Sequence, residues 1–242
     1  MNLKRISVCI ATYNGGKYIK EQLDSILTQL GKDDEVIVSD DSSTDDTLAI
    51  VESYHDSRLI VLANQKFHSP ILNFENALKH VSGDYIFLSD QDDIWEMNKV
   101  KVMLPYLSQY SLIVSNCSII DKDGNLIRES YFNSEVQRTG ILKNLIRNNY
   151  LGCCMAFKRE VLDIALPFPS KIAMHDIWLG LCASAFFSTI FIPNKLICYR
   201  RHGNNASVTA EASNLSWRYR ISYRIYFLYQ LIKRTIRFKL IC

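Results

Sequence analysis

Short apolar runs alternate with helical patterns through the first half of the chain. Runs rich in β-branched and aromatic residues, typical of strands, occur at residues 6–11, 35–39, 59–63 and 85–88. Between them apolar residues recur every three or four positions, which predicts amphipathic helices. Strands and helices that alternate at these intervals predict an α/β fold with a mostly parallel, doubly wound sheet flanked by helices.

The strand-to-helix turns are the expected location of a site. Right-handed crossovers place all of these turns on one edge of a parallel sheet. The first turn contains Gly15 and Gly16, which can adopt positive φ. We expect the ends of the first, second and fourth strands to lie together, at residues 12–14, 40–41 and 90–93.

The second half of the chain has a less regular pattern. Short strand-like runs occur at residues 112–115, 151–157, 189–192 and 196–199, and an Asp-Gly turn at 123–124 predicts a hairpin. The uncharged run at 177–194 has the minimum length of a membrane span. It contains Gly180, Ser184 and Pro193, which favour a buried helix followed by a strand.

Three carboxylates, Asp90, Asp92 and Asp93, directly follow the apolar run 85–88. Unpaired carboxylates are costly to bury, so the strand should end at about Ser89 and deliver them to the ligand-binding edge of the sheet. Clustered carboxylates repel one another unless a cation lies between them, and oxygen ligands favour Mg²⁺ or Mn²⁺, often together with phosphate. The alternative interpretation is a solvated acidic loop.

The nucleotide motifs that rely on glycine are missing. The first turn lacks the Gly-x-Gly-x-x-Gly fingerprint, and the chain has no Walker A sequence. Carboxylates at the edge suit a nucleotide whose base is read by an aspartate and whose phosphates are held through a metal. Asp41 can accept from a pyrimidine N3–H, or it can simply interact with the dipole of the following helix.

Composition and charge narrow the class of protein. The 242 residues are 48% hydrophobic and 22% charged, which suits one large globular domain or two closely packed halves. The N-terminal residues show no signal-peptide pattern, and the seven cysteines show no metal-ligand or redox spacing, so we expect a cytoplasmic protein with reduced thiols. All 25 acidic residues lie at or before Glu211, whereas seven of the basic residues follow it.

That basic tail, residues 214–242, also contains interleaved aromatic residues. Its basic residues scatter around a helical wheel, so the pattern predicts no clean amphipathic face. Basic and aromatic residues together suit an anionic membrane surface, which would also fit a lipid-linked substrate. The alternatives are packing against the core and RNA binding. We expect peripheral membrane contact and no nucleic-acid partner.

Five sequence blocks resemble, in order, the family 2 glycosyltransferases with the Rossmann-like GT-A fold. They lie at residues 7–14, 38–45, 89–95, 174–178 and 199–205. They are most similar to the bacterial subgroup labelled rhamnosyltransferases of surface polysaccharide assembly. The resemblance implies a donor-binding half at 1–110, an acceptor-binding half at 111–210 and the tail at 211–242.

The resemblance also implies roles for individual residues. The donor nucleotide would contact the strand ends, at Thr12, Tyr13, Asn14, Asp41 and Asp90. A Mg²⁺ or Mn²⁺ ion would be held by Asp92, Asp93 and His202, although which aspartate binds the ion directly stays open. The catalytic base would be Asp176, which can also serve as a helix N-cap. Acceptor contacts would come from His175 and Trp178, for which helix capping and core packing are the alternatives.

The implied reaction is an inverting, metal-dependent transfer of one sugar. The metal would stabilise the leaving diphosphate while Asp176 deprotonates the acceptor hydroxyl. No Gln-x-x-Arg-Trp block of processive relatives is present, which favours single transfer. The resemblance implies a dTDP- or UDP-sugar donor, with L-rhamnose by analogy. It implies a lipid-linked saccharide acceptor for O-antigen or capsule synthesis at the inner face of the cytoplasmic membrane.

Two rival functions use similar sheets. A sugar-nucleotide pyrophosphorylase needs a glycine-rich loop with a basic residue after the first strand, and residues 13–16 serve that purpose poorly. A non-catalytic binding module would be expected to have lost acidic residues, yet Asp41, Asp92, Asp93 and Asp176 are all present.

Overall fold

One mixed β-sheet carries the fold. A computed structural model of the protein describes residues 4–132, 140–146, 148–203 and 217–239. In these ranges the strands are β1 (Ile6–Thr12), β2 (Glu35–Asp40), β3 (Leu59–Leu62), β4 (Tyr85–Asp90), β5 (Ile94–Trp95), β6 (Leu112–Ile120), β7 (Leu126–Arg128), β8 (Met155–Lys158) and β9 (Thr189–Arg200). The helices are α1 (Ile19–Leu27), α2 (Thr47–Glu52), α3 (Pro70–Lys79), α4 (Lys99–Gln109), α5 (Ile141–Ile146), α6 (Glu160–Ala165), α7 (His175–Phe186) and α8 (Trp217–Lys239).

The strand order is β3-β2-β1-β4-β8-β6-β9-β5, with β7 paired to β6. Strands β3, β2, β1 and β4 are parallel, and β6 and β9 are also parallel to each other. Strand β8 lies antiparallel between β4 and β6. The prediction of a mostly parallel sheet flanked by helices is therefore confirmed, and the carboxyl ends of β1, β2 and β4 share one edge.

Burial explains why the apolar runs form central strands. Every residue of β2 and β6 is buried, because helices or neighbouring elements cover both faces of the sheet. Helix α1 packs its apolar side, Ile19, Leu23, Ile26 and Leu27, into this core. The 177–194 run divides into α7 and the start of β9, as predicted, and none of the helices that the structure describes is both long and apolar enough to cross a bilayer.

Several boundaries differ from the sequence predictions. Strand β4 continues to Asp90, which pairs with Ala11, so the first carboxylate of the cluster belongs to the strand. The two strands predicted at 189–192 and 196–199 are one strand, β9, whose pairing with β6 shifts register twice. The predicted strand at 151–157 begins instead with a 3₁₀ turn at Gly152–Cys154, and only β8 is extended.

The first turn uses its glycines differently from the prediction. Asn14 has the positive φ, 49°, whereas Gly15 and Gly16 do not have positive φ. The positive φ of this turn therefore occurs at Asn14, and the two glycines do not use the freedom that they have. Gly15 instead leaves room for the Gln91 side chain, because a Cβ at position 15 would lie 2.6 Å from Cδ of Gln91.

Helix α8 packs against α7. Phe227 is fully buried and its ring stacks on Trp178 with centroids 6.1 Å apart, and Leu231 is also buried. One side of the tail therefore contributes to the core, which was the alternative interpretation. Residues 214–216 and 240–242 of the predicted tail lie outside the described residues.

Candidate active site

A cleft of about 400 Å³ opens where β1, β2 and β4 end. From the first half of the chain it is lined by Thr12, Tyr13, Asp41, Asp90 and Asp92. From the second half it is lined by Gly152, His175, Asp176 and Tyr199. The cleft therefore lies at the predicted edge of the sheet, and the second half of the chain brings the acid Asp176 to the same cavity.

Four predicted site residues are not part of this lining. They are Asn14, Asp93, His202 and Trp178. His202 still reaches the site, because its Nε2 lies 2.7 Å from Oδ2 of Asp92. Asn204 and Asn205, which belong to the same sequence block as His202, lie outside the described residues.

Gln91 connects the first turn, residues 13–16, to the acidic loop, residues 90–93. The backbone N–H of Tyr13 donates to Oε1 of Gln91 at 2.9 Å, and Nε2 of Gln91 donates back to the carbonyl of Tyr13 at 3.1 Å. Asn14 connects the same turn to the second one, since its Oδ1 accepts from the N–H of Thr44 at 2.8 Å. Gln91 was missed from sequence, because a glutamine between two aspartates carries no signal of its own.

Asp41 is buried at the rim of the cleft. Its Oδ1 accepts from the N–H of Phe67 at 2.6 Å, and its Oδ2 accepts from the N–H of Ser69 at 3.0 Å. These two bonds fix the loop before α3. Each carboxylate oxygen has a second lone pair, so base recognition by Asp41 stays a prediction that the geometry allows.

The three aspartates of the acidic cluster face different ways. Asp92 faces the cleft and His202. Asp93 is turned inward, where its Oδ1 accepts from the N–H of Arg200 at 2.9 Å and its Oδ2 is buried with no hydrogen-bond partner in the described ranges. Burial and the charge of Asp92 raise the pKa of Asp90 to about 8 and raise the pKa of Asp93 well above its ordinary value. This concentration of charge is the situation that a bound cation relieves.

Asp92 and His202 bring a carboxylate oxygen and an imidazole nitrogen to within 2.7 Å of each other. Carboxylate oxygens suit Mg²⁺ and Mn²⁺, and imidazole is a common metal ligand. A second cluster, formed by Asp90, Asp93 and Cys153, has its ligand atoms within 4.8 Å of one another. Burial raises the pKa of the Cys153 thiol, and a protonated thiol is a poor ligand for a hard cation.

Arg200 and Tyr18 support this site from behind. Buried Arg200 donates from Nε to the carbonyl of Asp92 at 2.8 Å and from Nη2 to Oε2 of Glu21 at 2.5 Å. The Tyr18 ring lies between them, 4.7 Å from the Arg200 guanidinium and 5.1 Å from the His202 ring. Neither residue was a predicted site residue, because their contacts join segments far apart in sequence.

Asp176 is a buried carboxylate in the first turn of α7. Its Oδ1 accepts from the N–H of Ile177 at 2.6 Å. Burial raises its pKa to about 6, and backbone N–H groups of Ile177 and Gly152 oppose that shift. The N-cap of α7 is Met174, so the alternative interpretation of Asp176 as the N-cap was wrong.

Two buried side chains in the cleft wall, His175 and Asn73, have polar atoms with no hydrogen-bond partner among the described residues. His175 stacks on Phe74 with ring centroids 4.1 Å apart, and neither of its ring nitrogens is paired within the described part of the chain. It therefore does not cap α7, and burial lowers its pKa to about 3, which keeps the imidazole neutral. Asn73 donates from Nδ2 to the carbonyl of Thr12 at 3.1 Å, but its Oδ1 is likewise unpaired among the residues described. Such groups cost stability unless a ligand satisfies them.

Trp178 belongs to the core. Its side chain is fully buried, and its Nε1 donates to the carbonyl of Ala165 at 2.9 Å. Its ring stacks on Phe227 of α8. The prediction of an acceptor contact was therefore wrong for Trp178, and the alternative of core packing is confirmed.

Sequence comparisons give the family. The profile of the family described as Glycosyl transferase family 2 matches residues 7–164. The chain is 32% identical over 222 residues to the dTDP-rhamnosyl transferase RfbG of Shigella flexneri, which covers 81% of this chain and 72% of that protein. It is 34% identical over 189 residues to the UDP-Glc:alpha-D-GlcNAc-diphosphoundecaprenol beta-1,3-glucosyltransferase WfaP of Escherichia coli, which covers 74% of this chain and 70% of that protein.

A solved structure agrees on the fold. The chain superimposes on residues 1–349 of TarS from S. aureus, crystallised with UDP-GlcNAc, with a TM-score of 0.69 at 21% identity. The match covers 93% of this chain and 72% of that one. The GT-A fold predicted from the sequence is therefore confirmed.

Proposed function

Because the chain belongs to glycosyl transferase family 2, we propose that it transfers one sugar from a nucleotide diphosphate sugar to a saccharide acceptor. The observation that carries this proposal is the composition of one cleft. Asp41 and Asp92 line it from the donor side, and the buried acid Asp176 lines it from the second half of the chain. That arrangement supplies groups for base recognition, diphosphate binding and proton removal.

The donor half of the cleft suits a nucleotide. In our proposal Asp41 accepts from the base while it holds the 67–69 loop, and the backbone of Thr12 and Tyr13 lines the nucleoside. Asp90 contacts the ribose or diphosphate. The name of RfbG gives a dTDP-rhamnosyl donor and that of WfaP a UDP-glucosyl donor, so we propose a dTDP- or UDP-sugar, with L-rhamnose as the first candidate.

We assign Mg²⁺ or Mn²⁺ to Asp92 and His202. When bound, the ion would stabilise the charge that develops on the leaving diphosphate. Asp93 supports the loop from inside by accepting from the N–H of Arg200, rather than by facing the cleft. The buried guanidinium of Arg200 in turn donates to the carbonyl of Asp92, which fixes the backbone of this proposed metal ligand.

Asp176 is the proposed general base. With a pKa of about 6 it is ionised at neutral pH, yet it is more basic than an exposed aspartate and better able to take the proton of an acceptor hydroxyl. Neutral His175 beside it can hydrogen-bond an acceptor or sugar hydroxyl without competing for that proton. One base and direct displacement predict inversion at the anomeric carbon.

The proposed acceptor is a lipid-linked saccharide in cell-surface polysaccharide synthesis. The name of WfaP gives a diphosphoundecaprenol-linked acceptor. A chain that acts on such an acceptor must approach a membrane surface. We propose that the basic tail contacts the inner face of the cytoplasmic membrane. We also propose that residues 1–110 bind the donor, that residues 111–210 bind the acceptor, and that the tail begins at residue 211.

Calorimetric titration with dTDP-, UDP- and GDP-sugars, with Mn²⁺ and after chelation, tests the proposal. We expect metal-dependent binding of one nucleotide class. Asp92→Ala should weaken that binding at least about tenfold, because it removes a charged ligand. Asp176→Asn should keep donor binding but abolish transfer to undecaprenyl-diphosphate-linked sugars.

Asp123→Asn, in the exposed β6–β7 turn, is the matched control and should change neither property. Donor binding that survives both chelation and Asp92→Ala would reject the metal assignment. A folded protein that binds none of the nucleotides would reject the enzymatic proposal as a whole.

A further inference from the structure

Helix α8 has an apolar stripe that faces away from the core. Ile221, Ile225, Leu228, Ile232 and Ile236 are 47%, 61%, 38%, 59% and 57% exposed. Their spacing of three or four residues places them on one side of the helix. We call these five residues the isoleucine stripe. Phe227 and Leu231 are buried on another side, so α8 has two apolar sides, and the scatter of its basic residues hid this pattern in the sequence.

The stripe is held in a fixed position relative to the rest of the protein. Arg224 donates to the carbonyls of Leu145 and Ile146 in α5, and Arg234 donates to the carbonyls of Leu166 and Pro167 after α6. Together with the buried side of α8, these bonds anchor the helix near both ends. The neighbouring α5 also exposes Leu142, at 72%, and Ile146, at 75%.

The charge of the helix indicates what covers the stripe. Within Trp217–Lys239 the sequence has seven basic residues and no acidic one. A helix that combines an exposed apolar stripe with basic residues has the composition of an interfacial helix on an anionic bilayer. A second copy of the chain is a poorer occupant, because two such helices would bring like charges together.

We propose that the isoleucine stripe inserts into the interface of an anionic membrane and docks the protein there. The inference deepens the proposed function and rests on it in one respect, because a lipid-linked acceptor would lie in the same membrane. Five half-exposed aliphatic side chains supply the apolar contact, and exposed basic residues of α8 supply attraction to anionic headgroups. Exposed Lys233 is adjacent in sequence to Ile232 and is one of these basic residues.

Vesicle co-sedimentation tests this docking. The full chain is mixed with vesicles that contain phosphatidylglycerol, or with pure phosphatidylcholine vesicles, at low and high salt. We expect binding to the anionic vesicles that weakens as salt rises. The double variant Ile225→Asp/Ile232→Asp should lower the partition coefficient about 100-fold, roughly tenfold for each lost aliphatic side chain. Lys233→Glu should lower it roughly tenfold, because a charge is reversed near the surface.

Leu126→Asp/Ile127→Asp provides the matched control. These two residues of β7 are also exposed, at 54% and 59%, and their replacement should leave vesicle binding unchanged. Because all four positions are exposed, both double variants should retain the wild-type melting temperature. The single variant Ile232→Asp, with an expected tenfold loss, keeps the test valid if the stripe double variant does not fold.

Three outcomes would overturn the inference. The first is that the wild-type protein does not bind anionic vesicles, and the second is that the stripe double variant binds them as tightly as the wild type. The third is that the wild-type protein is a dimer in solution and the stripe double variant is a monomer. Donor titration of the same variants separates this inference from the proposed function. Unchanged donor affinity in the stripe variant supports the assignment of the stripe to docking, whereas a wild-type protein that binds vesicles but no nucleotide would reject only the enzymatic proposal.

Discussion

The close approach of Gly15 to Gln91 gives a direct test of how the acidic loop is held. A Cβ at position 15 would lie 2.6 Å from Cδ of Gln91 and closer still to its Oε1. The Gln91 side chain would have to move, and it would lose its two hydrogen bonds to the backbone of Tyr13. Gly15 does not have positive φ, so alanine is otherwise compatible with the backbone there.

The size of the effect follows from those two bonds. Each contributes roughly 0.5–1.5 kcal/mol, and the lower half of that range applies because the contact lies at an exposed turn. We therefore expect Gly15→Ala and Gln91→Ala each to lower the free energy of unfolding by about 1–2 kcal/mol. The three atoms nearest to the added Cβ all belong to Gln91, so the Gln91→Ala background removes the obstruction. In that background Gly15→Ala should be neutral, or stabilise by about 0.4–1 kcal/mol through the unfolded state.

Urea unfolding of the wild type, the two single variants and the double variant measures this coupling. The expected coupling energy is about 1–2 kcal/mol, and free energies that add without coupling would refute the reasoning. Donor titration of the same four proteins reports the consequence for the site. We expect each single variant to raise the donor Kd roughly fivefold, because Asp90 and Asp92 lose the residue that fixes the loop between them.

Three further predictions follow from the cleft. His202→Ala should weaken Mn²⁺ binding in the presence of donor about tenfold, measured by calorimetry; an unchanged affinity would remove His202 from the metal site. Burial raises the pKa of Asp176 to about 6, and a general base must be ionised to act. A plot of log(kcat/KM) against pH should therefore be level above about pH 6 and fall with unit slope below it. A profile that stays level down to about pH 5 would argue against Asp176 as the base. His175→Phe keeps the ring stack on Phe74 and removes two unpaired buried nitrogens. We expect a melting temperature that is unchanged or higher and a kcat/KM about tenfold lower, and full activity in a stable variant would contradict a ligand contact.

Local pattern and topology were sufficient to predict the sheet edge and the cleft. Apolar runs identify buried strands because a strand that is covered on both faces consists mainly of apolar residues. Asp41, Asp90 and Asp92 could be assigned to one cavity because parallel strands end at the same edge. The second-half acid Asp176 could be assigned to the same cavity only through the family resemblance, since its segment has no parallel-strand pattern.

The remaining features depend on contacts that no local pattern encodes. Gln91, Asn73 and Arg200 act through hydrogen bonds to segments about 60 or more residues away in sequence, as in the 61-residue separation of Asn73 from Thr12. Asp93 turns inward and accepts from the backbone N–H of Arg200. This partner lies in β9, so it can be identified only when the position of β9 in the sheet is known. Trp178 is buried by α8, a helix whose apolar sides the scatter of basic residues concealed.

The antiparallel insertion of β8 between β4 and β6 affects the order in which a nascent chain can fold on the ribosome. Strand β6 is synthesised before β8, yet its place in the sheet lies beyond it. Until residue 158 has left the exit tunnel, β4 lacks its partner β8 on one edge, and β6 lacks the neighbour that joins it to β4. Asp176 is translated later still. Vectorial synthesis therefore completes β1, β2 and β4 first and the wall of the cleft that contains Asp176 last. If Asp176 is the base that we propose, a stalled or truncated chain would form one side of the cleft before it had the group that removes the proton.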